Sequence, residues 1–195
     1  GWGTAYAARS IYYKVANGQS SYANNVNVFS PEYVYNQIKV NSSCTSGAYV
    51  SSALNLLKNK GVCTWAQMTY SSTNGCSLLP TYKQNLAAAN YKINGWGTVN
   101  RTVSNFKNLL YTNKPIIVAG PVDSNFDFLG YNQVLTQYNS ATYRGGHCYA
   151  VVGYDDNRQA FKVMNSWGTN WATGGYGWIS YSMITTSFTE AYIIF

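Results

Sequence analysis

One histidine occurs in the whole chain, His147, in the stretch GGHCYAVVGYDDNRQAFKVMNSWGTNW that runs from Gly145 to Trp171. An imidazole changes charge near neutral pH, which suits it to move protons when a neighbour fixes its ring and a nucleophile stands at its other nitrogen. The triplet Asp155, Asp156, Asn157 separates CYAVVGY from QAFKVMN and is turn-forming. An antiparallel hairpin centred on Asp156 sets Tyr149 opposite Val163, Val151 opposite Phe161 and His147 opposite Asn165. Directly opposed residues carry Cβ atoms about 4.5–5.5 Å apart, so the Asn165 side-chain oxygen is expected to accept a hydrogen bond from the ring. A slip of one residue would send the two to opposite faces. On its own, such a pair is also how a structural histidine at a strand end is satisfied, so its surroundings decide.

The nucleophile is harder to find. Four cysteines, Cys44, Cys63, Cys76 and Cys148, show neither C-x-x-C spacing nor companion histidines, so no metal site is expected. Cys63 and Cys76 bracket the turn-rich TWAQMTYSSTNG and form a candidate disulfide, a feature of oxidising compartments. Cys148 follows His147 directly, and adjacent strand residues point to opposite faces, so a buried structural thiol is expected there. No G-x-S-x-G elbow offers a serine instead.

Helices come first in the chain and strands later. GWGTAYAARSIYYKVANG places Trp2, Ala5, Tyr6, Ala8, Tyr12 and Val15 at helical intervals and stops at Gly18. SPEYVYNQ offers Ser30 as N-cap, Pro31 in the first turn and Glu32 near the positive helix end. GAYVSSALNLLKNKG puts Val50, Ala53, Leu54 and Leu57 on one face and ends in Gly61. After a short helix over 105–111, PIIVAGPV, CYAVVGY, QAFKVMN, GYGWISY and AYIIF read as strands. The order implies an α+β protein with a helical lobe over 1–92 and a β lobe over 93–195. The first helix is unusual in starting at residue 1 without a capping side chain ahead of it.

Composition narrows the function classes. Apolar residues make up 46% of the 195, enough for a sizeable core, while charged residues are only 10% and tyrosines number 19. A surface of Tyr, Asn, Ser and Thr fits a secreted or cell-surface protein. The net charge of +7 reflects a shortage of acids, since the 13 basic residues are scattered without a cluster, and no nucleic-acid partner is expected. No apolar run approaches the roughly 20 residues of a membrane span.

GGHCYAVVGYDD, followed by FKVMNSWGTNW and GYGWI, resembles the second half of papain-like cysteine peptidases, especially bacterial ones. SGAYVSSALNLLKNKGV and SPEYVYNQ resemble helices of the family's first half. The resemblance implies a two-lobe fold, with a helical lobe and an antiparallel β-barrel-like lobe facing each other across a cleft that takes an extended peptide. It implies that His147 is the general base, that Asn165 orients it, and that Trp167 shields their hydrogen bond. Trp171 would line the leaving-group side, and Gly47 and Gly146 would take substrate-binding positions. Tyr149 and Cys148 stand where the family usually has small residues, and Gly146 replaces an Asp or Asn.

The family's nucleophilic cysteine precedes a segment that GWGTAYAA resembles, which puts it two residues ahead of Gly1, at a helix start where unpaired N–H groups lower a thiol pKa. The chain from Gly1 onward is therefore expected to be inert alone. The implied function is cysteine endopeptidase, acting on a peptide or protein substrate without cofactor or metal. A catalytically inactive binding domain of the same fold is the alternative, and acyl transfer to an acceptor other than water is a third reading.

Overall fold

The computed structural model describes residues 1–73 and 76–195. Backbone contacts divide the chain into two compact units, Gly1–Trp96 with Ile194–Phe195, and Gly97–Ile193.

The first unit is helical. It opens with a π-helical segment, Trp2–Arg9, that runs directly into α1 (Ser10–Ala16). No side chain caps the start, where the Gly1 carbonyl accepts from both Ala5 and Tyr6. α2 (Pro31–Ile38) begins as the sequence dictates: the Ser30 hydroxyl accepts from the Tyr33 N–H at 3.0 Å, and Pro31 occupies the first turn, where its missing N–H costs nothing. α3 (Val50–Asn59) buries Val50, Ala53, Leu54 and Leu57, and Gly61 just beyond it takes φ +85°. A side chain at Gly61 would also collide with the Ala88 carbonyl, so the site needs glycine on two counts. α4 (Tyr82–Ala88) was not foreseen, although TYKQ carries its signature, a reciprocal capping box between Thr81 and Gln84. The core gathers Ala5, Ala8, Phe29, Tyr33, Leu54 and Leu57.

Disulfide pairing differs from expectation. Cys76 bonds to Cys44, with Cα atoms 5.2 Å apart, while Cys63 lies free and buried. Cys63 is fully buried next to Thr64, which bridges to Phe29, and is thus packed into the core.

The second unit carries the strands. In chain order the elements are β1 (Trp96–Thr98), α5 (Val103–Tyr111), β2 (Ile116–Asp123), α6 (Ser124–Asp127), β3 (Val134–Leu135), β4 (Tyr143–Asp155), β5 (Ala160–Met164), β6 (Tyr176–Ser180), α7 (Ile184–Ser187) and β7 (Glu190–Ile194). The unit boundaries fall inside β1 and β7. The sheet order is β1-β7-β2-β4-β5-β6-β3. It does not close: its two end strands, β1 and β3, are three and two residues long and do not pair with each other, so the barrel-like expectation gives way to an open sheet. Its core holds Phe106, Phe126, Tyr149, Phe161, Trp171 and Phe188 among others.

The hairpin joining β4 and β5 pairs in a register two residues away from the expected one. Val151 pairs with Val163 and Ala150 with Met164, with an irregularity between Val151 and Gly153. Asp155 Oδ1 accepts from the Asn157 and Arg158 N–H groups, and Gln159 adopts φ +51°, so the turn is built by residues 156–159 rather than centred on Asp156. Tyr149 therefore does not face Val163, nor Val151 Phe161. A shift of two preserves the face on which each side chain stands.

Candidate active site

His147 and Tyr149 project from the same face of β4, and Asn165 follows the end of β5. His147 Nε2 lies 2.8 Å from Asn165 Oδ1, so the foreseen contact forms even though the register behind it has moved. Asn165 Oδ1 also accepts from the Ser166 N–H at 2.7 Å, and the Asn165 backbone N–H donates to the Gly175 carbonyl at 3.0 Å. An acceptor pinned in this way can take only a donor from the ring, so the neutral imidazole carries its proton on Nε2 and presents Nδ1 as a free base.

An aromatic enclosure surrounds the pair. Trp167 lies over the imidazole with centroids 4.8 Å apart at 33°, and Tyr149 stacks on it at 5.4 Å and 30°. Phe126 touches His147, Tyr149, Trp167 and Trp171, at 5.9, 5.3, 5.3 and 4.9 Å. Phe126 is placed by α6, whose cap is Asp123: the buried carboxylate accepts from the Phe126 and Asn139 N–H groups at 3.1 and 2.6 Å. This short helix was not anticipated, although an Asp followed by Ser-Asn-Phe is a capping signal. Burial lowers the His147 pKa below the ordinary imidazole value, and the Asn165 hydrogen bond and the Asp127 charge act in the opposite sense.

Trp167 remains 42% exposed, whereas Trp171 is only 6% exposed. The Trp171 indole N–H donates to the Phe126 carbonyl at 2.9 Å, which draws the ring into the core beneath Phe126 and Trp167. Trp171 is thus packed behind the site, where the resemblance implied that it would line the leaving-group side. Gly146 is exposed beside His147, and a Cβ there would meet nothing within 4 Å. Those residues share a cavity of about 410 Å³, which Asp127, Arg144, Gly145, Gly146, His147 and Trp167 help to line. Gly47 belongs to the first unit: it is exposed with open space at its Cβ, and its carbonyl accepts from the Val40 N–H at 3.1 Å.

None of the four cysteines is fit to attack. Cys44 and Cys76 are bonded to each other. Burial pushes the Cys63 thiol up to about 12 and the Cys148 thiol up to about 11, so neither supplies thiolate at neutral pH. Among the described residues no group of three or more His, Cys, Asp or Glu side chains is arranged to hold a metal ion. No helix there is long and apolar enough to cross a membrane.

Comparison with known proteins gives the same picture from outside. Residues 3–192 match the family model of papain family cysteine proteases. The chain is 32% identical over 145 residues to gamete and mating-type specific protein A of Dictyostelium discoideum, a stretch that is 72% of this chain and 30% of that protein. It is 32% identical over 141 residues to a cathepsin L-like proteinase of Fasciola hepatica, covering 70% of this chain and 40% of the relative. It thus spans well under half the length of either. Among solved structures, xylellain, a cysteine protease from Xylella fastidiosa, superposes with a TM-score of 0.81 at 25% identity, over 97% of this chain and 76% of that one. Bromelain from Ananas comosus, at 22% identity and a TM-score of 0.72 over 97% and 85%, shares the fold. A histidine held by an asparagine under a tryptophan, on a chain matched from residue 3 to residue 192, makes this protein a member of the papain family of cysteine proteases.

Proposed function

We propose that the protein is a cysteine endopeptidase working through a Cys-His-Asn mechanism, with the thiol supplied by the residue two positions ahead of Gly1. The observation that carries the reading is the 2.8 Å contact between His147 Nε2 and Asn165 Oδ1 beneath Trp167, which leaves Nδ1 free for a thiol. Transfer of the thiol proton to Nδ1 gives a thiolate and an imidazolium. The thiolate attacks the peptide carbonyl carbon and forms a C–S bond. Collapse of the tetrahedral intermediate breaks the C–N bond as His147 passes its proton to the leaving nitrogen. Water then attacks the thioester, His147 accepts its proton, and the thiolate departs. Asn165 keeps the ring in one orientation throughout, and Trp167 excludes water from the bond between them. Gly146 leaves room for substrate beside the imidazole, and the open Gly47 backbone suits pairing with an extended peptide. The disulfide fits a secreted or cell-surface setting.

The test is the intact mass of the full gene product before and after an epoxide inactivator aimed at thiolates. One adduct, mapped ahead of Gly1 and abolished by His147→Ala, is expected. A folded protein that takes no adduct would instead be an inactive binding domain, a reading favoured by the absence of a usable nucleophile among the four cysteines.

A further inference from the structure

β4 begins irregularly. Val122 of β2 pairs with Gly145, but the next β2 residue, Asp123, pairs with Tyr143, so Arg144 is an extra residue in its strand. Gly145 beside it has φ +141°, a conformation that favours glycine. Bulges of this kind turn a side chain away from the direction that strand alternation would give it. Here Arg144 Nε donates to Asp127 Oδ2 at 2.5 Å. The Arg144 side chain is 62% exposed and that of Asp127 16%, so the carboxylate is the anchor and the guanidinium the presented end. Only Nε is engaged, and both Nη groups are without partners among the described residues. The pair lines the same cavity as His147 and Trp167, and Gly145 and Gly146 leave the floor between them open.

Chemistry says which part of a substrate enters that cavity. The general acid must reach the leaving nitrogen, so the residue bearing that nitrogen lies against the imidazole. We propose that Arg144 is a specificity-determining residue that selects a carboxylate side chain, Glu or Asp, on the residue immediately after the scissile bond. The inference rests on the peptidase reading above. Asp127 neutralises the pair overall, so the cavity does not gather anions at large. Its effect is to hold the guanidinium plane with two N–H edges toward the two oxygens of an incoming carboxylate.

The test uses the full gene product and peptides that differ only in the residue after the scissile bond, Glu, Gln, Ala or Lys, with cleavage sites read by mass spectrometry. Glu is expected to exceed Gln in kcat/KM by about fivefold, the scale of a partly exposed charge-assisted contact, and Lys to be poorest. In Arg144→Gln the Glu advantage should vanish, and in Arg144→Glu the order of Glu and Lys should invert. Because each readout is a ratio within one variant, a lowered active fraction cancels. Equal rates on the Glu and Lys peptides, or a Glu preference that survives Arg144→Gln, overturns the inference alone. Failure of the wild-type protein to cleave any peptide overturns the peptidase reading and the inference with it.

Discussion

Removing the bridge between Cys44 and Cys76 should cost about 3–4 kcal/mol of stability. The two cysteines are 32 residues apart. The chain-entropy relation for a loop of that length gives about 12 cal/mol/K, or about 3.7 kcal/mol at 25 °C. The bridged segments are also held together in the folded state by hydrogen bonds that do not depend on the disulfide, so the native structure should survive its removal and the cost should fall on the unfolded chain. Tyr35 donates its hydroxyl to the Cys44 carbonyl at 3.0 Å, and Lys39 Nζ donates to the Cys76 carbonyl at 2.7 Å. Guanidinium denaturation of the wild type against Cys44→Ser measures that cost. Thiol labelling without reductant, mapped by peptide, supplies an independent check: in denaturant Cys63 and Cys148 should be labelled and Cys44 and Cys76 should not, and in the native protein Cys63 and Cys148 should both react slowly. A loss below about 1 kcal/mol, or a crosslinked peptide containing Cys63, would refute the argument.

In residues 1–195 alone, His147 is the only histidine and gives one set of imidazole signals in long-range proton–nitrogen NMR, and it should titrate below the ordinary imidazole range with the neutral proton on Nε2. Asn165→Ala removes a bond that favours the charged ring, so the titration should move lower still and the tautomer preference should weaken. Because the folded-state value lies below the unfolded one, the unfolded chain binds the proton more readily. The His147 contribution to stability is thus full above about pH 6.5 and lost as the pH falls from there through the folded value, which denaturation at stepped pH would register. Phe126→Ala should cost about 3–5 kcal/mol in denaturant titrations, since Phe126 is 1% exposed and meets four rings. Tyr149→Phe should be neutral or stabilising by about 1 kcal/mol in the same assay, because the buried Tyr149 hydroxyl has no partner to lose.

Much of this site was legible because local rules govern it. Ser30 and Pro31 announce α2, and the apolar spacing of α3 follows its buried face residue by residue. His147 and Asn165 meet although the hairpin register was misjudged, because strand alternation has period two and the displacement was an even number. What escaped depends on long-range packing. The packing of Trp171 beneath Phe126 cannot be read from its own segment, because Phe126 arrives from α6, 45 residues earlier in the chain. Spacing pairs Cys76 with Cys63, whereas in the fold Cys63 is packed into the first unit's core and Cys76 bonds to Cys44. The Arg144 bulge is invisible to a pattern that assumes unbroken alternation.

The state of the four cysteines also sets how the polypeptide withstands oxidants. Two sulfurs are already oxidised to a disulfide, and the other two ionise so rarely at neutral pH that on the order of one thiol in ten thousand or fewer is a thiolate at any instant. Peroxide reacts with thiolates, not thiols, and climbs the ladder to sulfenic and sulfinic acids from there. Residues 1–195 thus carry no cysteine that a mild oxidant readily modifies, and a reductant gentle enough to spare the disulfide would find nothing in them to restore.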